Sequence, residues 1–130
     1  MARILALNPP FNGMSTIVNV LGRVGPGEPN NPDDVKVVQR LIQMGARGKA
    51  PAVNIGVPQV TGHFDAATGF WIYHAQRIYR QKMIVDGVVS PAHGAQYAPG
   101  GGVWAIVVFN DLAHGNSPQE YATLLAQSST

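Results

Sequence analysis

The sequence predicts a mainly α domain. It reads as a compact three-helix arrangement with a loop–helix pseudo-repeat, preceded by a short N-terminal β hairpin or extended segment and followed by a short C-terminal helix. Three observations carry this. Apolar residues recur at helical spacing in 33–45, "DDVKVVQRLIQMG". A ten-residue frame is written twice without a gap, "VTGHFDAATG" from Val60 and "VDGVVSPAHG" from Val85. Strand formers crowd the first 24 residues.

The N-terminal segments come first. "ARILAL" and "TIVNVLGRV" flank "NPPFNG", a turn signal, which gives a hairpin or two extended pieces. "GPGEPNNP" is a loop and opens the main domain. In the helix that follows, Asp33 or Asp34 is expected as the cap, and Val35, Val38, Leu41 and Ile42 form the inner stripe. Gly45 is expected to supply the left-handed residue that stops it. The stretch 46–59 reads as a loop.

The first copy of the frame then feeds a second helix, expected from Ala66 to Lys82 or Met83. Asp65 is its cap, and Trp71, Ile72, Ala75, Ile78 and Tyr79 are its apolar stripe. The second copy carries Ser90-Pro91, a helix-start pair, because the N–H that proline lacks has no partner in a first turn anyway. "GAQYAPGGG", 94–102, interrupts it. A helix resumes in "VWAIVVFNDLAHG", with Gly115 as its stop, and "SPQEYATLLAQ" forms the C-terminal helix. The domain organisation follows: 1–24 as an N-terminal extension, 25–115 as the main domain and 116–130 as a helical tail.

Composition narrows the function classes. The chain of 130 residues is 45% apolar, enough for one core, and 12% charged. Net charge is +2 with no run of lysine or arginine, so no nucleic-acid partner is expected. There is no cysteine, which excludes disulfides and thiolate metal sites. No apolar run reaches the roughly 20 residues of a membrane span, and the four-residue run Ile4 to Leu7 at the start falls short of the roughly 7–15 of a secretory signal core. The chain is therefore expected to be cytoplasmic as made, with delivery to the periplasm or envelope by another route.

At this point the residues carry a resemblance. "DVKVVQRLIQMG", "VTGHFDAATGFWIYHAQ" and "VDGVVSP" in that order resemble the peptidoglycan-binding domain-like superfamily, a three-helix cell-wall-binding module. Gln39 and Gln76 fall at its two glutamine positions, and Gly62 and Gly87 at its two turn glycines. Phe64, Thr68, Asp86 and Pro91 also match. The lead-in "VGPGEPNNPDDVKVVQRLI" resembles a subgroup with V-G-x-G-x-x-N-x-P-x-D-V. The resemblance spans residues 24–114. Thr61 departs from it, standing where the family has Asp. Trp71 and Ala75 depart together, as a volume exchange one helical turn apart. His93 replaces a Thr.

The resemblance implies non-catalytic binding of bacterial peptidoglycan, which would target or anchor a partner to the wall. The alternative is a protein–protein adaptor or structural component of a phage-like or contractile secretion assembly. A small metal-dependent wall hydrolase ranks last. Partners are thus the wall polymer, through its glycan or stem peptide, or a cell-wall or secretion protein.

The residues' own chemistry agrees with a non-enzyme. Zinc needs three or four converging ligands, whereas His63, His74 and His93 are scattered and no H-E-x-x-H occurs. No cofactor, metal or catalytic residue is expected. Asp33, Asp34 and Asp65 read as caps and Asp86 as a turn residue. Gln39 and Gln76 are expected to tie loops to helices through backbone hydrogen bonds. Candidate ligand-binding residues are Tyr73, His74 and Arg77 on the second helix, with Tyr97 in the 94–102 insertion. Tyr73 and Arg77 share a face, and Arg77 suits a carboxylate.

Overall fold

Asn12 and Gly13 reverse the chain, both in the left-handed region at φ 48° and 83°, as a two-residue hairpin turn demands. In the computed structural model, which describes residues 3–47, 56–93, 97 and 102–128, this turn joins β1 (Arg3–Phe11) to β2 (Met14–Asn19). The strands are antiparallel, with Ala6 opposite Thr16. The register breaks between Ala6 and Phe11, where Pro9 and Pro10 have no N–H to give to the ladder.

Among the described residues four helices follow: α1 (Pro32–Gly45), α2 (Ala66–Ile78), α3 (Ala105–Asn116) and α4 (Pro118–Ala126). The architecture is therefore an α/β mix, four helices with a two-stranded antiparallel sheet, and not the three-helix bundle that the sequence suggests. The reason lies in where β2 puts its side chains. Ile17 and Val18 on β2, and Val20 just beyond its end, are at most 1% exposed and sit in one core with Val35, Val38, Ile106 and Phe109. Each fully buried Val or Ile contributes roughly 1.5–3 kcal/mol, so the sheet is a main wall of the core.

Two asparagines weld the sheet to the rest. Asn110 on α3 acts as a third strand for one residue: its Oδ1 accepts from Val18 N–H at 2.9 Å and its Nδ2 donates to Val18 O at 2.9 Å. Asn19 does the same to the backbone of Ala92, at 3.0 and 3.1 Å. Val24 and Val89 exchange both backbone hydrogen bonds, at 3.0 and 2.8 Å.

That pairing overturns one expected helix. Val89 is bridged to Val24 and Ala92 is held by the Asn19 side chain, so Ser90 and Pro91 lie outside any helix or strand and start no helix. The next helix waits until Ala105. Three smaller expectations change as well. Helix α1 begins at Pro32, and Asp34 caps nothing in it. Its buried carboxylate reaches back to the N–H groups of Leu21 and Gly22, at 2.8 and 2.9 Å. Helix α2 ends at Ile78, short of Lys82. Gly45 stays helical. A Cβ there would stand 3.2 Å from Leu112 Cβ, so this glycine permits close approach of α1 and α3 where a left-handed stop was expected.

Helix α1 packs most extensively on α3, whereas α2 touches α1 lightly. No helix among the described residues is long and apolar enough to cross a membrane.

Candidate functional site: a groove beside α2

Helix α2 is held at its two ends by polar groups more than by its apolar face. At the start, Asp65 caps it, accepting from the N–H of Thr68 at 2.8 Å and from its hydroxyl at 2.5 Å. These bonds hold the Asp65 carboxyl below its usual range, the Thr68 hydroxyl contributing most. Buried Gln39 on α1 donates to Thr68 Oγ1 at 3.0 Å. Near the far end, buried Gln76 binds the turn at Asp86 and Gly87. Between them only Ile72 is a buried apolar side chain.

The consequence is a gap. Trp71, Ala75 and Tyr79 pack against the core but stay partly exposed. Together with His74 and Ile78 they form one wall of a groove of about 140 Å³. Leu41, Ile42 and Gly45 on α1, with Ala46 at its C-cap, form the second wall, and Phe109 and Leu112 on α3 the floor. Trp71 is fixed there by its indole N–H, which donates to Gly56 O at 2.9 Å. His74 stacks on Phe70, with ring centroids 5.4 Å apart, and meets Trp71 edge-on at 5.5 Å. Ile78 is 59% exposed at the edge. The wall is almost wholly carbon, so the groove's chemistry is uptake of apolar side chains.

The expected ligand-binding residues divide. His74 lines the groove. Tyr73 and Arg77 lie on the neighbouring outer face of α2, and the Arg77 guanidinium carbon stands 5.9 Å from the Tyr73 ring centroid. Tyr97 is exposed and pairs with Val103 on the approach to α3. It is not among the described residues that line the groove. The rest of the 94–102 insertion, Gly102 excepted, lies outside the described residues, as does 48–55 of the expected 46–59 loop. Asp65 and Asp86 have the structural tasks expected of them. Among the described residues no three or more His, Asp or Glu side chains converge.

The sequence signalled Trp71 and Ala75 as a paired change of volume, but placed them in the core. They are groove walls. What the sequence lacked was the stand-off of α2 from α1, which is a tertiary property. Leu112 and Phe109, which complete the site, gave no local signal. No protein-family model, no curated protein and no solved structure matches this chain.

Proposed function

We propose that this protein is a non-enzymatic binding module that docks an apolar segment of a partner protein in the groove beside α2. The carbon lining of that groove, with Trp71, His74 and Ile78 at its edge, carries the reading. Such grooves take side-chain anchors from a peptide or helix. The carboxylates a hydrolase would need are engaged elsewhere: Asp34 with the end of the hairpin, Asp65 with α2, Asp86 with its turn.

A second reading is binding of cell-wall peptidoglycan, as the motif resemblance implies. Tyr73 favours it. Its ring is 48% exposed beside the Arg77 guanidinium, a pair suited to a sugar face and a stem-peptide carboxylate.

Co-sedimentation with purified sacculi separates the two. The docking reading expects the protein to stay in the supernatant. It also expects the groove to take up the apolar dye anilinonaphthalene sulfonate, with Ala75→Trp, which fills the groove, abolishing uptake. Pelleting with sacculi that is lost in Tyr73→Ala and Arg77→Ala would put the wall polymer first.

A further inference from the structure

We infer that the segment received by the groove is acidic as well as apolar: an amphipathic stretch of a partner protein that sets carboxylates against the outer face of α2. This rests on the docking reading.

Charge selects the partner. Between Asp65 and Asp86 the chain carries Arg77, Arg80 and Lys82 and no acidic residue. All three cations are exposed. The acidic side chains of this protein are largely spent on internal contacts. Asp34 and Asp65 accept backbone N–H groups, Asp86 accepts from Val88, Asp111 accepts from Asn12, and Glu120 pairs with Arg47. No described carboxylate lies against Arg77, Arg80 or Lys82.

The cations are also placed to act with the groove. His74 and Ile78 are four apart on the wall. Tyr73 and Arg77 are likewise four apart, one residue round, so they run beside the apolar wall along α2, and Arg80 follows in the turn just past the end of the helix. A helix or extended segment that buries an apolar anchor beside Ile78 carries its next polar residues across Arg77 and Arg80. Arginine there offers paired N–H donors for a carboxylate.

Charge also sorts the occupants. A second copy of this chain would bring the same Arg77, Arg80 and Lys82 against the first, which like-charge repulsion opposes. A phosphate polymer would meet the cations but leave the apolar groove unfilled.

The test uses the full chain and two synthetic peptides with the same leucines at helical spacing. One has glutamate on its polar face, the other lysine. Binding is followed by amide chemical shifts of labelled protein. The acidic peptide should bind at least about tenfold tighter than its twin, and added salt should erode the difference. Shifts should map to α2 and to Leu112. Ile78→Asp should abolish binding at unchanged melting temperature, since Ile78 is exposed. Arg77→Glu with Arg80→Glu should reverse the preference. Equal binding of the two peptides, or tighter binding of the lysine twin, overturns the acidic partner and leaves the docking reading standing. Failure of both to shift the groove overturns both. Self-association through the α2 face, seen as a doubled mass that Ile78→Asp removes, makes the occupant a second copy and overturns the inference.

Discussion

Gln39 and Gln76 make the same set of bonds to two different turns. Gln39 Oε1 accepts the N–H groups of Thr61 and Gly62 at 2.9 and 3.0 Å, and its Nε2 donates to His63 O at 3.0 Å. Gln76 Oε1 accepts those of Asp86 and Gly87 at 3.2 and 2.7 Å, and its Nε2 donates to Val88 O at 3.0 Å. The doubled frame in the sequence thus has a physical unit: a glycine turn held by a glutamine from the preceding helix. Thr61 and Asp86 close the equivalence. Each accepts the N–H two residues on, at 3.1 and 3.0 Å, and each accepts from its glutamine. Thr61 departs from the expected Asp in type and keeps the bond.

The clamps should therefore be costly to remove. Both glutamines are at most 1% exposed, and truncation strands buried backbone groups. Gln39→Ala and Gln76→Ala are each expected to lose about 2–4 kcal/mol, measured by urea denaturation. Gln→Glu should destabilise as well, because it sets a carboxylate against the carbonyl of His63 or Val88. A loss below about 0.5 kcal/mol in either alanine variant would mean that water replaces the clamp.

The two turn glycines should differ. Both have positive φ, 79° at Gly62 and 75° at Gly87, so alanine is strained at either by about 1 kcal/mol. Space separates them. A Cβ at Gly62 would meet Lys36 Cε at 3.1 Å and the Pro32 carbonyl at 3.2 Å, whereas at Gly87 the nearest atom is Pro26 Cδ at 3.9 Å. Lys36 can swing aside, but the carbonyl belongs to the first turn of α1. Gly62→Ala is expected to cost more than Gly87→Ala by about 1 kcal/mol. Equal costs would show that the start of α1 yields.

These turns explain what could be read from the sequence. Glycine, glutamine and the Asp65 cap act over short, fixed spacings, and the pattern of residues records them. Ser90-Pro91 carries an equally good local signal and fails, because Val24 and Asn19, far away in sequence, hold Val89 and Ala92. Asp34 fails as a helix cap for the same reason: the N–H groups of Leu21 and Gly22 compete for it and win. The hairpin's turn was legible at Asn12-Gly13, but its place in the core was not, since that depends on Asn110 and α3. The groove is the extreme case. Its walls come from three helices, and its existence depends on how far α2 stands from α1.

Asp65 should mark the acid side of stability. Its folded carboxyl titrates below the usual 3.8. The stabilisation is therefore fully present above the unfolded value and is lost as pH falls through the folded one. Asp65→Ala is expected to cost about 1 kcal/mol at neutral pH through loss of the cap. Its difference from the parent should shrink as pH drops below the carboxylate range. A pH-independent difference would mean that the capping charge contributes nothing.

The alkaline side should belong to Tyr121. Its phenol donates to Asn110 Oδ1 at 2.5 Å, the same oxygen that receives Val18 N–H. Hairpin, α3 and α4 thus meet at one buried acceptor. Burial is the largest influence on the phenol and pushes its pKa from 10.0 up to about 12. Asp111 adds to this, and the Val18 backbone opposes it. The folded state holds the proton more tightly than the unfolded one, so stability is intact below pH 10 and falls between 10 and about 12. Tyr121→Phe gives up the hydrogen bond, about 1 kcal/mol at neutral pH. It also removes the titrating group, so its melting temperature should decline less steeply over that interval. Parallel alkaline slopes in parent and variant would show that ionisation of Tyr121 is not what unfolds the junction.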